Sequence, residues 1–445
     1  MIRMAKYHTS RIFLFYFALL LFSQVLYSEK PKEIDFILLF HVGSLALFLY
    51  YGLLKTMMHP DRFDIEPIQV ITLVFLIYFY TVGVFLSRSN NVPWIGAIEF
   101  PYRIANLFMI LFIPLFIRKE EDLRRVFVMM LVMMATQILY DIFLGEDTLL
   151  ESRLWGKDFA SIMFLASLPF AFGALLLFWN SKTWRGTKRL LLLGLSFLVM
   201  LKVFLTFSRT VWLVMFPLNV VGLVYLIQYK SRTKKKVRGW YNKVTMLICA
   251  VVVAGAVGAF GIVLFNPPTA DLILSRADKT DSQAWNRTTE IQMAYEEWLN
   301  RPILGSGFAY QMPIFKGTRF RQQDWVHNFI MQFLVSSGII GLAMLITLLG
   351  ATALLLRKLF KRSRSSLQNA VMISCILALF NVVLIGMVQT VLHKEDTYFI
   401  LAMIISFIVA IKRFQAEEKR ALRLQEAPIH QWGIPVKLGQ PLRAR

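Results

Sequence analysis

The residues of this sequence with the means to do chemistry are mostly cations, drawn from distant parts of the chain. Arg103 and Lys202 lie inside long apolar stretches, and Arg209 sits in the short polar break Phe207-Ser208-Arg209-Thr210. Arg287, Arg319 and Arg321 belong to one long polar segment that also holds Glu290 and leads into His327-Asn328. Such a set suits a highly charged anion, because the planar fork of arginine donates two parallel bonds to a phosphate and stays charged at any relevant pH. A histidine or a carboxylate among the cations adds a group able to accept a proton from a hydroxyl. Together they fit a phosphate-binding mouth. Cys249 and Cys375 both fall in apolar runs without ligand-like spacing, so neither a zinc site nor a disulfide framework is expected, nor any cofactor.

The elements that must hold these residues follow from composition. Of 445 residues, 57% are apolar and only 17% charged, with mean hydropathy +0.57. A soluble domain carries roughly 25% charged residues, so an ordinary soluble enzyme is excluded. Charge is confined to clusters between apolar runs of roughly 20 residues, the length a helix needs to cross a hydrocarbon core. The pattern predicts an all-α polytopic membrane protein with about twelve spans near 11–27, 34–54, 68–87, 98–117, 125–145, 159–179, 189–207, 210–228, 244–265, 326–355, 369–391 and 395–411. The domain layout is then nine spans over 1–265, a long loop over 266–325, three spans over 326–411 and a basic tail over 412–445.

The net charge of +22 is read first as topology. Odd-numbered connections carry 33 Lys and Arg against 14 in even-numbered ones, half of the latter in the long loop, where the positive-inside rule has little force. Both termini are therefore expected in the cytoplasm and the loop 266–325 outside. The basic run Lys230 to Lys243 and the tail then face anionic lipid, and nucleic acid is not needed to explain them. Within the loop, Ile291, Ala294, Tyr295, Trp298 and Leu299 recur at helical spacing from Asn286 to Asn300, which predicts an amphipathic helix with these residues as its buried stripe. Pro302 and Gly305-Ser306-Gly307 then turn the chain.

In this orientation Arg103, Lys202, Asp141, His41 and Arg209 all gather toward the outer side. Charge at membrane depth needs a partner or a task. An outer cavity with several cations wants an anion, and a lipid-linked diphosphate is the membrane-borne one. The spans that begin at Arg209-Thr210 and at His327-Asn328 would add helix N-termini, which favour phosphate. Gly338 and Gly341 share one helix face and read as a site of close helix packing.

Three segments in order resemble the O-antigen ligase and O-antigen polymerase superfamily: Leu205-Thr206-Phe207-Ser208-Arg209-Thr210-Val211-Trp212, Arg287 leading through Trp298 into Arg301-Pro302-Ile303-Leu304-Gly305-Ser306-Gly307-Phe308, and His327-Asn328 followed by Gly338. The segment Arg153 to Ala160 is similar to the family's stretch before span six but lacks its Pro-Asn, and Ile291 stands where a Leu is common. The resemblance implies a GT-C-like, inverting, metal-independent glycosyltransferase in the bacterial inner membrane, acting at the periplasmic face on undecaprenyl-diphosphate-linked glycan. In a ligase the acceptor is a sugar hydroxyl of the lipid A core; in a polymerase it is another lipid-linked repeat. Arg209 and Arg287 would stabilise the leaving diphosphate, and His327 would serve as general base or as the group that orients the diphosphate. Glu290 is a rival base, while Arg103, Lys202, Arg319, Arg321 and Asn328 would contact substrate. The intact histidine spacing and the cationic outer face favour the ligase. A lipid-linked glycan transporter is the non-enzymatic alternative, disfavoured because no matching halves are evident.

Overall fold

A computed structural model describes residues 12–23, 35–58, 65–143, 162–178, 186–205, 216–232, 280–308, 310–316, 319–323, 326–363, 365–387 and 395–426, with isolated positions 250 and 253. The described residues form α1 (Ile12–Ser23), α2 (Asp35–Met58), α3 (Pro67–Tyr78), α4 (Val84–Ser89), α5 (Trp94–Ile104), α6 (Met109–Phe116), α7 (Glu120–Phe143), α8 (Ile162–Phe178), α9 (Thr187–Leu205) and α10 (Phe216–Arg232). After these come α11 (Thr280–Asn300), the strands β1 (Met312–Lys316) and β2 (Arg319–Gln323), α12 (Phe329–Arg362), α13 (Ser366–Gly386) and α14 (Glu395–Glu426). Helices thus occur at eleven of the predicted span positions, and of the ninth, 244–265, only positions 250 and 253 are described.

Among the described residues, five stretches are long and apolar enough to cross a membrane: Leu39–Met58, Pro67–Ser89, Phe329–Arg362, Ser366–Gly386 and Thr397–Lys419. Their outward faces carry bare apolar side chains such as Val70, Val74, Ile77, Ile346 and Leu354, an arrangement that hydrocarbon tolerates and water does not. The chain is a helical multi-pass membrane protein.

Several helices are interrupted, each by an identifiable residue. A π-turn at Phe79–Gly83 links α3 to α4, and a 3-10 turn at Ala105–Phe108 joins α5, which contains Pro101, to α6, which contains Pro114. Proline removes a backbone donor and crowds the preceding turn, so kinks are expected there.

The core is organised around α14. From Tyr398 to Ile411 its residues are essentially inaccessible, and the run is apolar on all sides, as a helix enclosed by others must be. It packs against α5, α6, α7, α8, α12 and α13. Where the apolar run ends, Lys412 pairs with Glu66 and Arg413 donates to the Pro114 carbonyl. Elsewhere small residues set the spacing: a Cβ on Gly173 of α8 would lie 1.9 Å from Ser374 Oγ of α13.

Between α11 and α12 the structure departs from the sequence expectation. In place of an all-α chain it has an antiparallel hairpin here, with Ile314 opposite Arg321 and Lys316 opposite Arg319. Gly317-Thr318 between the strands is a Gly-X pair of the kind that closes tight hairpins, a signal present in the sequence. β1 packs on α11, and a small second core forms from Ala294, Met312, Val326 and Val335.

Candidate functional site

The site is built where α11 meets the start of α12. α11 begins earlier than the predicted Asn286, at Thr280, and its buried face is not the predicted one. Ala294 is inaccessible and Trp298 half-buried, but Ile291, Tyr295 and Leu299 are exposed, while Glu290 is 1% exposed. The apolar stripe is therefore split: Ala294 and Trp298 serve the small core, and Ile291, Tyr295 and Leu299 point away from the protein in an i, i+4, i+8 row. A buried carboxylate must be satisfied by donors, and the donors of Glu290 belong to His327. Its Oε1 accepts the His327 backbone N–H at 2.7 Å, and its two oxygens lie 3.0 and 2.8 Å from His327 Nδ1. With a carboxylate against Nδ1, the neutral ring carries its proton there, which makes Nε2 the basic nitrogen. A carboxylate that orients an imidazole and supports its cationic form is the arrangement by which hydrolases equip a histidine as general base.

The next residue ends the approach to α12. Asn328 is its N-cap: Oδ1 accepts from the N–H groups of Ile330 and Met331 at 3.0 and 3.2 Å, and Nδ2 donates to the Met387 carbonyl at the end of α13. The expectation of unpaired N–H groups at this terminus is corrected for those two amides, which the cap satisfies. Behind the cap, Gln332 ties the turn together, accepting from the Val326 N–H at 2.5 Å and donating to Ser336 Oγ at 3.0 Å.

What fixes α11 over this point is a break in α12. Gly338 has φ 62° and ψ −166°, a conformation essentially restricted to glycine. The loop after α11 enters the break. Ser306 and Gly307 donate their N–H groups to the carbonyls of Val335 and Ser336 at 2.7 and 2.9 Å, while Ile339 and Ile340 donate to those of Pro302 and Ile303 at 3.0 and 3.3 Å. Backbone hydrogen bonds that the helix loses are thus made by the loop, the condition under which irregular backbone survives at membrane depth. Gly305 and Gly307 take φ of 73° and 92°, and a Cβ on either would lie 2.5 Å from a backbone nitrogen, that of Ser337 or Ser87. Ser87 Oγ and Asn90 Nδ2 hold the loop from the other side, donating to the carbonyls of Phe308 and Ser306 at 2.9 and 2.6 Å. Tyr78 donates to the Ser337 carbonyl at 3.2 Å. Gly338 is consequently a helix break, which corrects the packing-face reading. Gly341 does permit close packing, since a Cβ there would come within 3.3 Å of the Phe79 ring.

Of the residues expected at the site, the structure brings Glu290, His327 and Asn328 together. Arg287 lies one turn before Glu290 on α11, and Arg319 and Arg321 lie on β2 of the hairpin that packs on this helix. Lys202 is in the last turn of α9. Arg103 sits on α5 near the start of α14, where its charge acts on Tyr398. Arg209 and the segment 153–160 lie outside the described residues. Tyr310, beside the small core, has its phenol pKa raised by burial and by the Glu297 carboxylate it bonds, with Arg301 opposing. Sequence reasoning did not single out Ser87 and Asn90, which hold the loop, or Tyr78, which holds α12 at its break; their partners are more than 200 residues away along the chain.

Residues 194–346, from α9 through the first half of α12, match the family model described as O-Antigen ligase. That span contains Arg209, Arg287, Glu290, His327, Asn328 and Gly338. No curated protein matches the chain.

Proposed function

We propose, from the premise that residues 194–346 form an O-antigen ligase-type segment, that this protein is a membrane glycosyltransferase that moves a glycan from undecaprenyl diphosphate to a sugar hydroxyl of a lipid A core at the periplasmic face. The observation that carries the reading is the buried Glu290 held on His327 Nδ1 at the head of α12. The acceptor hydroxyl gives its proton to His327 Nε2 as its oxygen attacks the anomeric carbon from the face opposite the diphosphate. The bond from that carbon to the diphosphate breaks, configuration inverts, and the departing charge passes to Arg209 and Arg287. Glu290 stays a carboxylate and supports the imidazolium, which makes it a positioning residue rather than the base. Arg103, Lys202, Arg319 and Arg321 serve the phosphates of donor and acceptor. Asn328 acts through its cap, which fixes the backbone of the histidine beside it.

A twelve-span, GT-C-like arrangement in the inner membrane, with both termini cytoplasmic, belongs to the same reading. Polymerase activity of the same superfamily is the second reading, differing only in the acceptor. A transporter also uses broken helices, but the loop 302–307 already occupies backbone groups freed at Gly338. The deciding experiment uses purified protein and lipid-linked donor: His327→Ala abolishes transfer while donor binding persists. Full activity in that variant removes the base assignment. In a deletion strain, long unattached polymer on the carrier identifies a ligase, whereas core bearing a single repeat identifies a polymerase.

A further inference from the structure

Along α12, from Phe329 at its head to Lys361 in its last turn, lies a feature whose cations the transfer reaction does not use. A groove of about 730 Å³ runs between α10, α12 and α13, within the size range of ligand pockets. Its walls are apolar and aromatic, among them Tyr225, Tyr229, Leu349, Ile376 and Phe380. Its width comes from small residues on α12: Gly350 and Ala353 line it, and a Cβ built on Gly350 would meet nothing within 4 Å. Two charged side chains line it, Arg357 and Lys361, both exposed in the last two turns of α12. Neither forms an ion pair with another described residue. The neighbouring cation Lys230 is differently placed: it is buried, donates to the Ser363 carbonyl at 2.9 Å and lies 4.5 Å from the centre of the Phe360 ring.

We infer that this groove binds an anionic phospholipid, with an acyl chain between α10, α12 and α13 and the headgroup phosphate on Arg357 and Lys361. A long apolar slot ending in two cations is complementary to a molecule with a long apolar chain ending in one or more negative charges. Basic pockets between membrane helices on the cytoplasmic side recognise anionic headgroups in this way, and the Lys and Arg distribution assigns this end of α12 to the cytoplasm. The tail of a polyprenyl carrier would use the walls but not the cations, since its diphosphate would lie at the other end of α12, beside His327. The exclusion of the carrier rests on the proposed function; the match of slot and cations to an anionic lipid rests on the membrane reading alone.

The test uses full-length protein purified in detergent, stripped of lipid and titrated with phosphatidylglycerol, phosphatidylethanolamine of the same acyl chains, or undecaprenyl phosphate, with bound lipid counted by native mass spectrometry. Phosphatidylglycerol is expected to bind more tightly than phosphatidylethanolamine. Arg357→Gln and Lys361→Gln are each expected to weaken phosphatidylglycerol binding about fivefold, leaving phosphatidylethanolamine unchanged. Gly350→Trp fills the slot and lowers phosphatidylglycerol binding, with thermal unfolding as the check that the bundle survives; should it not fold, the two cation variants decide. Equal binding of the two phospholipids, unaltered phosphatidylglycerol affinity in both cation variants, or displacement of phosphatidylglycerol by equimolar undecaprenyl phosphate overturns the assignment. Glycan transfer is assayed separately in the same preparations, so loss of either activity is read without the other.

Discussion

Gly338 and Ile303 approach so closely that a Cβ on position 338 would lie 2.1 Å from the Ile303 carbonyl oxygen. That carbonyl also accepts the N–H of Ile340. Gly338→Ala must therefore both leave a glycine-only conformation and push the carbonyl off its donor. The backbone strain alone is worth about 1–3 kcal/mol. A lower unfolding temperature in detergent together with lost transfer is expected. A variant as stable and active as the parent would show that the break does not hold the site.

The Glu290–His327 contact predicts a division between rate and binding. Glu290→Gln keeps an oxygen that accepts the His327 N–H but removes the charge that supports an imidazolium. Turnover should fall about 100-fold or more, with the apparent KM for the lipid-linked donor little changed. Glu290→Ala strips the buried N–H of its acceptor as well, adding about 1–3 kcal/mol of destabilisation, visible as a drop in melting temperature that the Gln variant lacks. Equal turnover in Gln and parent proteins would return Glu290 to a purely architectural part.

Lysine in place of arginine separates a fork from a point charge. Arg209→Lys and Arg287→Lys keep the charge but lose the paired bonds, and a bond to a charged group is worth about 1.5–3 kcal/mol. Each change should cost roughly 10- to 100-fold in kcat/KM for the donor. Unchanged values would argue against bidentate recognition of the diphosphate.

Away from the site, Asn219 of α10 donates to Asn381 of α13 at 2.5 Å, both fully buried. Polar pairs between membrane helices couple by about 0.6 kcal/mol on average and up to about 1.7. A double-mutant cycle with Asn219→Ala and Asn381→Ala should give a coupling energy in that range by unfolding in detergent. Strict additivity would mean that each amide is held mainly by other partners.

The positions of the helices were legible because a long apolar run bounded by charge has few alternatives in a membrane. The place of His327 just before a helix start was legible from residue type and spacing. The partner of that histidine was not: Glu290 is separated from it by 37 residues, and the hydropathy of α11 put the carboxylate on a polar face. Periodicity assumes that an apolar residue points inward, but Ile291, Tyr295 and Leu299 point outward, so the pattern misassigned the stripe. The break at Gly338 was hidden for a related reason, since apolar residues continue on both sides of it and nothing local announces a loop arriving from residues 302–307.

The insertion of that loop into α12 locks the two pieces of chain together. Lifting Pro302–Gly307 away would leave the carbonyls of Val335 and Ser336 and the amides of Ile339 and Ile340 bare inside hydrocarbon, at several kcal/mol for each group. The segment is thus a rivet and not a door: any motion that required it to swing would have to tear open a membrane helix.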